Sequence, residues 1–227
     1  MSNVFEVIAL DKDLEIVALL SPTNIQWNRK FYESGTFSIQ IPSSQYSNSF
    51  KYIYTKDRPE VGEISQVNYQ ILNGVQWIQI SGFFLEEELN RRICYKKSTS
   101  TNITNEPGWQ EQAGAAETVA LAYFNAFKDV RYTYNNKSYT SNLGISAAAS
   151  QGRGKQSIHA RDGSYLGNKL HAILKPSRFS YRINYDLNTN DKVLEVYSGV
   201  DRSQNNVEGN NPIIFSTEYG NIKSCLG

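Results

Sequence analysis

The chain has 227 residues, 40% of them hydrophobic and 20% charged, which is the composition of a folded protein long enough for one large domain or two small ones. With 23 basic and 22 acidic side chains the formal net charge is +1, so no global field steers nucleic acid or an anionic membrane toward it. Simple DNA binding is thereby excluded, while a locally basic face is not. The 15 Tyr and 10 Phe, the frequent Asn and Ser and the single Met suit half-buried pleated surfaces better than a helix bundle.

The start, "MSNVFEVIALDKDLEIVALL", lacks a basic n-region and a small-residue cleavage site, so no signal peptide is expected. Its two apolar runs, split by Asp11, Lys12 and Asp13, read as a hairpin. In "IQWNRKFYESGTFSIQIP", Ile25 and Trp27 and then Phe37, Ile39 and Ile41 recur at every second position around a turn, and Pro42 ends the run. That pattern is a second hairpin with one buried face. "VGEISQVNYQI" and "VQWIQISGF" follow as strands on either side of Asn73 and Gly74, a pair that favours a tight turn with positive φ. So many closely spaced strands predict a small antiparallel barrel or sandwich. In "FFLEEELNRR" the period changes, with Leu85 and Leu89 on one helical face and Glu87–Arg91 and Glu88–Arg92 as i, i+4 pairs.

Residues 96–112 are polar and contain breakers, as a loop or linker does. "AETVALAYFNAFKD" predicts a helix lined by Val119, Tyr123 and Phe127. From Arg131 to Ala160 there is little periodicity, and irregular or weakly paired chain is expected. A helix follows with Leu166, Leu170, Ile173 and Leu174 on one face, Asp162 or Ser164 as N-cap, and Pro176 as its stop. Phe179, Tyr181, Ile183 and Tyr185 alternate in a strand, "KVLEVYSG" pairs with it across Asn188–Asp191, and "NPIIFSTE" is a last strand. The expected organisation is therefore α+β and mostly antiparallel β: a barrel with a closing helix over 1–95, a partly helical connection over 96–176, and strands of a second, incomplete barrel over 177–227.

Motifs that carry chemistry are weak. "SQGRGKQ" imitates a phosphate loop at Gly154 and Lys155, but Ala149 and Gln156 stand where that loop needs Gly and Ser or Thr, which leaves a flexible basic loop. His159 and His171 have no acidic or Cys neighbours at ligand spacing, and His171 beside an apolar helix face reads as a structural histidine. The acidic run Glu86–Glu88 reads as a solvated, salt-bridged face, and Trp27 and Trp77, at strand spacing, as core. Cys94 and Cys225 form neither a metal motif nor a disulfide framework, so synthesis inside the cell is expected and the sequons at Asn102 and Asn136 carry no meaning. No apolar window approaches the ~18 residues of a membrane span. Gly199, Asp201 and Arg202, where a strand gives out, read as a strand-end turn held by an ion pair. No cofactor, metal or catalytic residue is implied.

The order of landmarks carries more than any one of them. "VFEVIALDKDLEIVALL", then "FYESGTFSIQIP", "DRPEVGEISQV", "ISGFFLEEELNRRI" with Gly82 and Arg91, and finally "VLEVYSGVDRS" and "NPIIFSTEYGNI" resemble the N-terminal hub region of siphophage tail-associated (Tal) proteins. The resemblance implies a fold similar to the baseplate hub, with tube-like β-barrels joined by small helical pieces. It also implies a homotrimer with pseudo-sixfold symmetry that joins a distal tail protein ring to the tail tip, with tape-measure protein or tail fibres as further partners. DNA would pass the channel without specific binding, no membrane would be involved, and the protein would sit in the virion at the tail tip as a structural component and not an enzyme. Family members continue beyond the "FSTEYGN" landmark, so this chain is expected to be either a hub domain cut short or a compact variant. The competing expectations are a receptor- or carbohydrate-binding tail module, supported by Tyr and Trp content, and a cell-wall-degrading enzyme.

Overall fold

The apolar runs at the N-terminus form β1 (Val7–Leu10) and β2 (Ile16–Leu20), an antiparallel hairpin, in a computed structural model that describes residues 6–56, 58–94, 112–134, 137–159 and 163–199. β3 (Asn24–Asn28) and β4 (Thr36–Pro42) pair with Ile25 opposite Ile39 and Trp27 opposite Phe37, so the alternating residues share one face. After β5 (Tyr52–Thr55), β6 (Val61–Leu72) and β7 (Val75–Phe84) make a long hairpin. Asn73 and Gly74 close it at φ 52° and 78°, the turn expected of that pair.

These seven strands form one antiparallel sheet in the order β2-β1-β5-β6-β7-β4-β3. Leu20 from one edge and Ile25 and Trp27 from the other pack into the same cluster as Phe37, Ile39, Ile78 and Ile80, so the sheet curls around a core of its own. Among the described residues no ladder joins β2 to β3, and only Ser21, Pro22 and Thr23 separate these two edge strands in sequence.

Leu85–Arg91 is a 3-10 helix, which corrects the expected ion pairs. At three residues per turn, positions four apart do not stack. Arg91 instead reaches Glu63 at 2.8 Å, and Arg92 donates to Ser141 Oγ at 2.8 Å. The acidic run is not a solvated face throughout either: Glu86 is buried, and its Oε1 accepts the Ile183 N–H at 2.9 Å.

β8 (Gln112–Ala115) leads into α1 (Ala116–Phe127), whose Val119, Tyr123 and Phe127 are buried as the spacing predicts. The stretch expected to be irregular contains β9 (Asp129–Tyr134) and β10 (Lys137–Asn142), paired with each other, then β11 (Ser146–Ala147) and β12 (Gln156–His159). β12 pairs with β8, and β11 runs parallel to β14 (Asp191–Ser198). The sequence pattern is silent here because β10 is exposed along its whole length and has no apolar face to alternate.

α2 (Leu166–Leu174) buries Leu166, Leu170, Ile173 and Leu174 completely. Its N-cap is Tyr165 and not Ser164, with no side-chain cap, while Asp162 lies outside the described residues. The Arg92 carbonyl takes the Leu166 N–H at 2.7 Å and so does what a capping side chain would have done. β13 (Phe179–Asp186) and β14 lie side by side across the turn from Asn188 to Asn190.

A second core joins Leu85, Leu89, the inner faces of α1 and α2, and Tyr181, Ile183, Leu194 and Val196 to the outer face of the large sheet at Ile8, Leu10, Tyr54 and Val61. β1 thus serves two cores: Val7 and Ala9 face one and Ile8 and Leu10 the other, which is why "VIAL" is apolar without alternation. Residues 1–197 form one compact unit and 198–227 another, of which only Ser198 and Gly199 are described.

Candidate assembly surface

From Ile64 through Leu85 the β6–β7 hairpin carries no charged residue, in a chain of which one residue in five is charged. Its register sets Ile80 opposite Val67 and Ile78 opposite Tyr69 on the face that lines the sheet's core. That apolar stripe does not stop where the core stops: Tyr69 and Ile71 continue it and are each 71% exposed. On the other face of the tip Leu72 and Val75 are opposite one another and also exposed, with half-buried Trp77 beyond them. A strand pair that is apolar on both faces and projects past its own core leaves large apolar side chains exposed among the described residues.

The edge strand β2 has the same character. Ile16, Val17 and Leu19 are exposed, and no charge occurs from Ile16 to Asn28, a run that takes in both edges of the sheet. Uncharged apolar edges without proline in the strand invite strand addition from another chain. The surface can therefore hold another polypeptide by apolar burial at the tip and by backbone pairing at the edges.

The base of the hairpin is fixed by two of the family landmarks. Gly82 is opposite Ile64, next to a bulge between Ile64 and Gln66. A Cβ on Gly82 would come within 1.9 Å of the Glu63 carbonyl oxygen and 2.8 Å of the Phe37 ring, so the strands meet at this spacing only because the side chain is missing. The Glu63 carboxylate lies between Lys51 at 2.9 Å and Arg91 at 2.8 Å. Burial pushes its pKa up, but the two cations outweigh that and hold it below the usual carboxylate range. Gly82 and Arg91 therefore converge on Glu63. Gly199 follows β14 and is exposed; Asp201, Arg202, "NPIIFSTE" and Cys225 lie outside the described residues.

The other residues singled out by sequence have structural settings. Trp27 packs on Phe84 and Phe37, with ring centroids 4.8 and 5.7 Å away. His171 stacks on Tyr181 at 4.5 Å, and burial pushes its pKa down to about 4, so the imidazole is neutral at pH 7. The His159 carbonyl accepts the Tyr123 hydroxyl at 2.6 Å. Cys94 is buried.

The "SQGRGKQ" segment is not a flexible loop. Glu117, in the first turn of α1, accepts the N–H groups of Gln151 and Arg153 at 3.1 and 2.9 Å and both arms of the Arg153 guanidinium at 3.1 and 2.8 Å. The same guanidinium donates to the Val196 carbonyl and lies 5.5 Å from the Phe179 ring centre. Burial would raise the Glu117 pKa, but Arg153 holds it low. Nothing local in the sequence announces this clamp, because its two charged members are 36 positions apart.

A search of curated proteins returns no match. Among solved structures the backbone is similar to the 43 kDa tail protein of prophage MuSo2 from Shewanella oneidensis, with 12% identity, a TM-score of 0.47, and 84% of this chain and 54% of that one covered. It is also similar to prophage tail protein gp18 from Listeria monocytogenes EGD-e, with 10% identity, a TM-score of 0.46, and 83% and 50% covered. The tail protein from Neisseria meningitidis MC58 matches with 10% identity, a TM-score of 0.46, and 84% and 50% covered. The chain thus spans about half the length of these proteins. The siphophage resemblance read from the order of landmarks is borne out at the level of sequence families. Residues 5–225, nearly the whole chain, match one such family, and the protein belongs to the Siphovirus ReqiPepy6 Gp37-like proteins.

Proposed function

We propose that this protein is a non-enzymatic structural component of the siphophage tail, built into the tail tip as a homotrimeric hub. In that role it joins a distal tail protein ring to the tip, and the tape-measure protein and then DNA pass its inner face. The observation that carries the reading is the uncharged β6–β7 hairpin with its two-sided apolar tip, next to an edge strand of the same character. A lone domain gains nothing from such a surface, whereas a ring subunit buries it against a neighbour. Family membership and the order of landmarks support the placement in a phage tail. A near-neutral, amide-rich strand pair also suits a channel wall that must not hold DNA, because nonspecific DNA affinity comes from Lys and Arg on phosphates.

The test is sedimentation velocity and mass photometry of the protein, alone and with its distal tail protein. A trimer that joins the partner ring is the expected result. A chain that stays monomeric at all concentrations and never enters the partner ring would end the adaptor reading.

A further inference from the structure

Two patches of opposite charge lie at the two ends of β13. At its start, the segment before β12 meets the end of α2: the Lys155 N–H is donated to Ser177 Oγ at 2.8 Å, which brings Lys155 to the stretch that carries Lys175 and Arg178. All three cations are exposed, and among the described residues none has an acidic partner. The acids nearby are already engaged. Glu117 is held by Arg153, and Glu33, next in sequence to the Tyr32 ring that lies 5.5 Å from the Lys175 ammonium, is held by Lys30 at 2.7 Å.

At the far end of β13 the turn between β1 and β2 packs on the strand, where the Leu14 carbonyl accepts the Tyr185 hydroxyl at 3.5 Å. Asp11 shapes this turn by accepting the Asp13 and Glu15 N–H groups at 2.8 and 3.0 Å, and Asp186 follows Tyr185 directly. Lys12 is paired with Asp13, and Lys51, whose N–H is donated to the Leu10 carbonyl, has its ammonium on Glu63. Asp11, Asp13, Glu15 and Asp186 with Lys12 leave three negative charges, which equal the three positive ones at the other end. Eight residues of strand, at about 3.3 Å each, set the patches about 25 Å apart, well beyond the ~8 Å over which charges act in physiological salt. Neither patch neutralises the other within one chain. A second copy of the chain supplies both complements, whereas the net charge of +1 offers a phosphate polymer no extended track.

We propose that copies of this chain meet head to tail in their ring through these patches, with Lys155, Lys175 and Arg178 of one subunit against Asp11, Asp13, Glu15 and Asp186 of the next. The inference rests on the reading of the chain as a ring subunit. A two-fold pair would also match the charges, by joining both ends at once, whereas in a ring each subunit gives one patch and takes the other. The patches give the contact its direction, because like ends repel; apolar burial at the hairpin tip and edges has none to give.

The test is sedimentation velocity of the full chain at about 0.05 and 0.5 M NaCl, with zero-length carbodiimide crosslinking read by mass spectrometry. The expected result is a trimer whose dissociation constant rises about tenfold or more with salt, and crosslinks from Lys155 or Lys175 to Asp13, Glu15 or Asp186 that a separation of about 25 Å forbids within one chain. Lys175→Glu with Arg178→Glu, and Asp13→Lys with Glu15→Lys, each weaken assembly about tenfold or more, and the two pairs combined in one chain bring it back toward the parent because both patches then change sign. Arg178→Gly guards against misfolding: Arg178 has φ 56°, a backbone that Gly adopts freely, so the monomer unfolds at the same or a higher urea concentration while assembly weakens about threefold. The proposal is overturned if the trimer is indifferent to salt and to both reversals, if the combined variant assembles no better than either pair, if no crosslink joins the two patches, or if the reversals break a dimer instead. A trimer that ignores the reversals leaves the ring reading standing without these patches. A chain that never self-associates overturns the head-to-tail contact, and the partner-ring arm of the earlier test then decides the hub reading by itself.

Discussion

Replacing Glu86 by Gln tests how this fold responds to acid. Burial moves the Glu86 carboxyl from its ordinary 4.5 up to about 7, against the pull of the Ile183 N–H that it accepts. In the unfolded chain the same group loses its proton near 4.5. The folded state therefore holds the extra proton between about pH 4.5 and 7, and stability from this group is full below that window and falls as pH rises through it. At about 1.4 kcal/mol per pH unit, the difference amounts to roughly 3 kcal/mol above pH 7. Gln keeps the acceptor for Ile183 and has no proton to lose. The assay is urea unfolding followed by Trp fluorescence from pH 5 to 8, for the parent and for Glu86→Gln. The stability gap between the two should change by about 2–3 kcal/mol across that range, in favour of Gln at the alkaline end. His171 acts in the opposite sense in the parent and the variant alike: its depressed pKa makes stability fall as pH drops through 6.5 toward 4, so only the difference between the proteins isolates Glu86. A gap that stays constant with pH would refute the assignment of Glu86 as a buried, proton-holding carboxyl.

Gly82→Ala should lower stability by about 1–3 kcal/mol or more, read as a drop in urea midpoint at unchanged m-value, since the new methyl meets the Glu63 carbonyl. Glu117→Gln should cost about 2–3 kcal/mol by stripping Arg153 of its partner, and limited trypsin digestion should then cut after Arg153 before any other site in the described fold. The double substitution Ile71→Asp and Leu72→Asp should leave monomer stability within about 0.5 kcal/mol yet abolish self-assembly in sedimentation, because both side chains already lie in water in the single chain.

The strands were legible where one face is buried and the other wet. Ile25, Trp27, Phe37, Ile39 and Ile41 announce their hairpin by period alone, and Asn73–Gly74 announces its turn. The pattern failed in two physical situations. β10 is solvated on both faces, so nothing alternates. The Leu85–Arg91 segment has a helical mix of apolar and charged residues, but whether it winds with three or 3.6 residues per turn depends on what Arg91, Arg92 and Glu86 find in the rest of the fold. The same limit hid the burial of Glu86 and the Glu117 clamp. Glu86 looked like one of three solvated acids, and Arg153 like a loose basic residue, because burial and a partner many positions away are properties of the fold and leave no local periodicity. The hairpin tip was readable in one respect, its lack of charge, but only the register showed that its apolar residues overrun the core.

The open seam between β2 and β3 sets the curled sheet apart from a closed barrel. Its edge strands are neighbours in sequence, and the link between them is tied to one side only, by Thr23 N–H to the Gln40 carbonyl at 2.9 Å and Ser21 N–H to Gln45 Oε1 at 2.9 Å. Among the described residues, no interstrand backbone hydrogen bond crosses that point, whereas every other neighbouring pair in the seven-stranded sheet is joined by a ladder. Leu20 on one side of the seam and Ile25 and Trp27 on the other still pack into one cluster, so side-chain burial rather than a backbone ladder closes the curl at this point.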